Sequence, residues 1–194
     1  IDTLALLDHP RILRLFEWYN DTQNLYIIMD VCKGGELQDL VVESATARWP
    51  LPEAWVARIF AQALDAVGYC HGKGVMHKDL KFENIMLARK LSSTSRIEDI
   101  SVVVIDVGLA ELFGPQHHRE ARSKLIAGSM ATMAPEVLLG DFSYKCDVWS
   151  LGCMLYAIYN AKPFPVPDGK GGQVPYLYPF FPQASQQDPQ GTGA

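Results

Sequence analysis

The sequence predicts an α+β fold with more helix than strand. Three observations carry that expectation: an apolar stripe at helical period from Glu53 to His71, a stretch apolar almost all round from Asp147 to Ala161, and short apolar runs set between turn residues. In chain order, Ile1, Leu4 and Leu7 fall at helical spacing, and Asp8-His9-Pro10 stops that helix. Ile12 to Trp18 and Leu25 to Met29 read as strands joined by the turn-rich Asn20 to Asn24. Cys32-Lys33-Gly34-Gly35 breaks the second strand, and Glu36 to Val42 starts a short helix. Pro52 opens the long helix, whose stripe is Val56, Ile59, Phe60, Ala63, Leu64 and Val67. Gly72-Lys73-Gly74 ends it. Ile85 to Leu87 and Val102 to Ile105 make two small strands around a polar insert, Arg89 to Asp99, of a kind that surface loops tolerate. Asp147 to Ala161 is expected as a buried central helix. From Lys162 onward Pro, Gly and Gln leave no periodicity, and residues 165–194 read mostly as disordered.

Composition bounds the function classes. A chain of 194 residues with 48% apolar residues can bury one core. A net charge of −5 argues against a general nucleic-acid binder. Cys32, Cys70, Cys146 and Cys153 form no C-x-x-C pair, so they read as reduced core thiols of an intracellular, cytoplasmic protein. No apolar run reaches the length of a membrane span, no signal segment opens the chain, and no internal repeat is visible.

The chemistry concentrates in His77-Lys78-Asp79-Leu80-Lys81-Phe82-Glu83-Asn84. It sets an acid, an amine and an amide at fixed offsets on one short loop. Phosphoryl transfer from ATP asks for such parts: a carboxylate at the attacking hydroxyl, and cations held on the phosphates. Asp79 can accept the hydroxyl proton, Lys81 can reach the transferring phosphate, and Asn84 offers a neutral oxygen to Mg2+. Downstream, Asp106 closes the apolar run Val102 to Ile105 beside Val107 and Gly108, where a carboxylate is well placed to hold a hard cation. Ala134-Pro135-Glu136 and Asp147-Val148-Trp149-Ser150-Leu151-Gly152 follow.

These four blocks, in this order, resemble the C-terminal half of a eukaryotic protein kinase. Lys81 two residues after Asp79 is similar to the Ser/Thr branch. His77-Lys78-Asp79 with Gly108 to Phe113 most resembles calcium-dependent protein kinases. The resemblance implies a kinase-like fold over 1–164: the end of a small β lobe at 1–29, a hinge at 30–36 and a mainly helical large-lobe core at 37–164. It implies ATP and Mg2+ as cofactors and a protein Ser/Thr hydroxyl as acceptor. It makes Asp79 and Lys81 catalytic, with Asn84 and Asp106 on the metal. Met29, otherwise a core methionine at a strand end, matches the gatekeeper position. Asp30 and Cys32 would offer backbone groups to adenine, Glu36 would face ribose or a basic substrate residue, and Met86 would lie under adenine. Ser129, in other respects an ordinary loop serine, aligns with the hydroxyl residue that bonds the catalytic Asp and Lys.

Several positions depart from the family pattern. Lys78 stands where an arginine often binds an activating phosphate, and keeps the charge without the bidentate fork. Val107 replaces an aromatic that packs on His77, a loss of about 1–2 kcal/mol of apolar contact. Glu136 lacks the late-helix arginine with which it would pair, and burial without a partner would be costly. No third ligand stands near His117-His118, so no metal is expected there. Neither G-x-G-x-x-G nor a V-A-I-K-like lysine occurs, and the match is partial at both ends. The rival expectation is therefore a pseudokinase-like scaffold or an inactive fragment. Calcium-binding loops are absent, which places any calcium-sensing segment outside this chain.

Overall fold

The computed structural model describes residues 2–46, 49–107, 110–113, 122–160, 164–167 and 172–176. Gly108, the His117-His118 pair and most of the Pro/Gln/Gly tail lie outside the described residues. The fold is α+β, with five helices and eight short strands among the described residues. Its helices are α1 (Asp2–Ala5), α2 (Leu37–Thr46), α3 (Glu53–Gly72), α4 (Pro135–Leu138) and α5 (Lys145–Asn160). Its strands are β1 (Leu15–Asn20), β2 (Leu25–Met29), β3 (Val75–Met76), β4 (Ile85–Leu87), β5 (Val102–Val104), β6 (Glu111–Leu112), β7 (Phe164–Pro167) and β8 (Gln173–Tyr176). They pair antiparallel as β1–β2, β3–β6, β4–β5 and β7–β8.

Helix α3 is the spine of the main core. Val56, Ile59, Phe60, Ala63, Ala66, Val67 and Cys70 are buried at three- and four-residue steps. Leu64 was expected in that stripe, but it is 50% exposed. It follows Ala63 by one residue, which turns it off the buried face. Gln62 ties the helix to the ribbon beneath it: its Nε2 donates to the Ile100 carbonyl and its Oε1 accepts from Val102 N–H, both at 3.1 Å. Helix α2 runs longer than expected, burying Leu37, Leu40, Val41 and Ser44 on one face.

The β4–β5 ribbon is braced along both edges. On the β5 side, Leu13 N–H donates to Val104 O (3.0 Å) and Val104 N–H to Arg11 O (2.8 Å). On the β4 side, Gly34 N–H reaches Leu87 O and Leu87 N–H reaches Gly35 O, each at 2.9 Å. Gly34 has to be glycine. An added Cβ would lie 2.3 Å from Arg89 O.

Other expectations shift. The first strand starts at Leu15, because Ile12 makes a parallel bridge to Val104 instead of pairing with β2. Every residue of β2 is exposed. Helix α5 is less enclosed than its all-round apolar sequence suggests: Val148, Trp149, Leu155, Tyr156 and Tyr159 are exposed, while Cys146, Asp147, Ser150, Leu151, Cys153, Met154 and Ala157 are buried. Apolar composition therefore marks both faces, and packing among the described residues covers only one. Glu136 is half-buried in the first turn of α4, where a carboxylate is favourable, so the expected cost of burial is reduced. The segment read as lacking structure contains the paired strands β7 and β8.

Candidate active site

Ile85 and Val104 pair at one end of the β4–β5 ribbon, and Ile105 N–H continues the ladder onto Asn84 O at 2.9 Å. Asn84 and Asp106 therefore leave adjacent strands at the same end. Asn84 sits in a single 3-10 turn, Phe82–Asn84, with Phe82 fully buried as its anchor. Asp106 is exposed and takes a left-handed backbone, φ 61°. Such a conformation is rare outside glycine and turns the chain sharply out of the strand.

Asp79 is the hub of a tight polar cluster. Ser129 Oγ donates to its Oδ1 at 2.6 Å, and Lys81 Nζ approaches its Oδ2 at 3.0 Å. Lys81 Nζ also donates to Ser129 Oγ at 3.0 Å, which closes a triangle. Asn84 Nδ2 donates to the Asp79 carbonyl at 2.7 Å and to Oδ2 at 3.2 Å. These bonds engage the amide nitrogen, and the other end of the Asn84 amide is an oxygen. That oxygen and the Asp106 carboxylate are the hard donors a magnesium ion prefers.

Asp147, fully buried in α5, holds the loop from below. Its Oδ2 accepts from His77 N–H (2.9 Å) and His71 Nε2 (2.8 Å), and its Oδ1 from Lys78 N–H (2.8 Å). Burial pushes its pKa upward, but these bonds and the nearby His77 ring outweigh that and hold the carboxyl below its ordinary value. His77 donates from Nε2 to Ile105 O at 3.0 Å and accepts Asp79 N–H on Nδ1 at 3.3 Å. The sequence reading names Asp147 within a block and assigns it no role. A buried acid inside an otherwise apolar helix is the signal that could have found it.

Lys78 has φ 72°, and Gly128 passes so near it that a Cβ there would lie 2.3 Å from Lys78 O. Its ammonium, where a phosphate contact was in question, pairs with Glu111 Oε2 at 3.1 Å. Val107 is partly buried and packs on the main core.

The remaining expected residues lie on β2, on the segment that follows it and on β4. Met29 and Asp30 are exposed at the end of β2, and Cys32 is half-buried with its thiol pushed up by burial and by Asp30. Glu36 and Met86 form an antiparallel bridge, which places the hinge-like segment against β4. Burial, then Asp39 and Glu83, raise the Glu36 carboxyl above its ordinary value. The structure thus brings together Asp79, Lys81, Asn84 and Ser129 by direct contact, and Glu36 with Met86.

The pattern of the family described as Protein kinase domain matches residues 1–174. The chain belongs to the protein kinase domain family. Among curated relatives, this kinase domain is 37% identical over 160 residues to calcium-dependent protein kinase 6 of Plasmodium berghei, covering 82% of the chain and 10% of that protein. It is 36% identical over 163 residues to calcium-dependent protein kinase 4 of the same organism, covering 84% and 28%. Calcium-dependent protein kinase 9 of Oryza sativa is 38% identical over 159 residues, covering 82% of the chain and 25% of its own length. The kinase domain here thus spans between a tenth and just over a quarter of these relatives. Among the described residues, no helix is long and apolar enough to cross a membrane.

Proposed function

We propose that this chain is the catalytic core of an intracellular Ser/Thr protein kinase that transfers the γ-phosphoryl group of ATP to a protein hydroxyl. The observation that carries the reading is the Asp79 carboxylate held at 2.6 Å by Ser129 Oγ and at 3.0 Å by Lys81 Nζ. Asp79 orients the acceptor hydroxyl and takes its proton. Lys81, already beside that carboxylate, neutralises charge developing on the transferred group. Asn84 and Asp106 would hold Mg2+. The bound Mg2+–nucleotide supplies the phosphoryl group and the cationic charge at it. Met29, Asp30, Cys32 and Met86 form the adenine side, with Glu36 toward ribose or a basic substrate residue. Calcium dependence, which the relatives carry in their names, belongs in this reading to another segment of the gene product.

The test is peptide phosphorylation by the full-length gene product. Asp79→Asn should leave less than about a tenth of the activity with ATP affinity nearly unchanged. Asp106→Asn should weaken Mg2+–nucleotide binding and turnover together. Transfer that survives Asp79→Asn would refute the assignment, and its absence from the wild type would point to the scaffold alternative.

A further inference from the structure

Lys78 is next to Asp79 in the chain, yet its side chain is turned away from the polar triangle and only 1% exposed. A buried ammonium needs a partner. It finds one in Glu111 Oε2 at 3.1 Å, with its Nζ also 5.7 Å from the centre of the Phe142 ring. Glu111 does not serve Lys78 alone. The same carboxylate oxygen accepts a short hydrogen bond from Ser123 Oγ. Ser123 and Phe142 in turn exchange backbone hydrogen bonds at 2.8 and 3.2 Å. Across the β3–β6 pair Glu111 lies opposite Met76, two residues before Lys78. One carboxylate therefore ties together the catalytic loop, β6, the chain at Ser123 and the chain at Phe142.

The backbone at Lys78 gives that tie its importance. With φ 72°, Lys78 occupies a region that non-glycine residues hold only when their surroundings fix them. Its N–H is fixed by Asp147 at 2.8 Å, and Gly128 crowds its carbonyl. The side chain is the remaining handle, and Glu111 grips its end.

We propose that Glu111 is a positioning residue: as internal counter-ion to Lys78, it holds the left-handed turn that aims the Asp79 carboxylate at the acceptor. This rests on the kinase reading of Asp79. The side-chain partners of Glu111 are Lys78 and Ser123 rather than Asp79, Lys81 or Asn84, so its removal should change turnover and spare nucleotide binding.

The experiment compares Glu111→Ala, Lys78→Met and the double variant in the full-length protein. Steady-state transfer to a Ser peptide is measured together with hydrogen exchange at the Lys78 amide. In Glu111→Ala, kcat should fall about tenfold to a hundredfold with KM for ATP kept within about twofold, as misplacement of a reacting group does. The Lys78 amide should exchange at least about tenfold faster, through local opening. Lys78→Met should give a similar kcat, and adding Glu111→Ala should cost little more, because both remove one interaction. Should Glu111→Ala fail to fold, the isosteric Glu111→Gln reads the same split. Unchanged kcat, a parallel rise in KM for ATP, or losses that multiply in the double variant would overturn the proposal. Absence of Asp79-dependent transfer in the wild type would sink the kinase reading instead. Exchange at Lys78 then decides the positioning on its own: faster supports it, unchanged refutes it.

Discussion

Replacing Asp147 by asparagine removes one charge and one acceptor from a fully buried site while keeping its shape. The carboxylate accepts three hydrogen bonds, from His71 Nε2, His77 N–H and Lys78 N–H, at 2.8 to 2.9 Å. An amide has a single oxygen. If that oxygen stays on Lys78 N–H, the new NH2 faces the His77 and His71 donors. If the amide flips, its NH2 faces Lys78 N–H. Either way at least one buried donor is orphaned, at about 1–3 kcal/mol, and the charge-assisted bonds weaken. Together these effects give an expected loss of about 3–5 kcal/mol, the range for breaking one side of a buried charged network. The midpoint of thermal unfolding should fall on the order of 10 °C for a domain of this size. Urea unfolding followed by tryptophan fluorescence reads the difference directly. The sign of the pH dependence follows from the depressed pKa. Native Asp147 is easier to ionise than in the unfolded chain, so its contribution is present above the ordinary value of 3.8 and is lost as pH falls through the folded value. The wild type should therefore weaken at acid pH more steeply than Asp147→Asn. A loss under about 1 kcal/mol, or parallel acid limbs, would mean that the loop is not held through this carboxylate.

Two further substitutions probe the scaffold. Gly128→Ala puts a Cβ 2.3 Å from the Lys78 carbonyl at a φ of 119°, so the strand of chain carrying Ser129 has to shift. Transfer activity should drop well before global stability does, and unchanged turnover would show that the contact relaxes freely. Gln62→Leu leaves Ile100 O and Val102 N–H without their side-chain partner and should cost about 2–6 kcal/mol in urea unfolding, given about 1–3 kcal/mol for each orphaned group.

The polar cluster around Asp79 was legible because most of its members are local in sequence. His77 to Asn84 is one short stretch whose offsets survive folding, and Ser129 joined it through family likeness. The β4 and β5 strands were legible too, as unbroken apolar runs bounded by polar chain. What escaped was long-range. Asp147 is 69 residues from Lys78, and its partners there are backbone N–H groups, which carry no residue identity. Glu111 was one of 22 acidic residues until folding set it against Lys78. Helix α5 was read as enclosed because composition reports how apolar a face is and says nothing of what covers it. Strands β7 and β8 were hidden by their prolines, which breaks in a pattern usually announce. A two-stranded sheet leaves each strand one unpaired edge, and there proline is tolerated.

The β4–β5 ribbon separates two kinds of variation. Asn84 and Asp106 emerge from one end, and the chain from Ala88 to Ser101 closes the other. Braces from Arg11, Leu13, Gly34 and Gly35 grip the strands in between. Changes in length between Ser92 and Ser95, where the chain is mostly exposed, are taken up on the far side of those braces. The spacing of Asn84 and Asp106 is set by the pairing of Ile85 with Val104, by Ile105 N–H on Asn84 O and by the bonds from Asn84 to Asp79. Natural insertions, or an epitope or fluorophore placed by an experimenter, can enlarge that distal turn while the geometry at the opposite end stays as it was. The ribbon works as a lever clamped along its edges, with one end open to alteration and the other held in place.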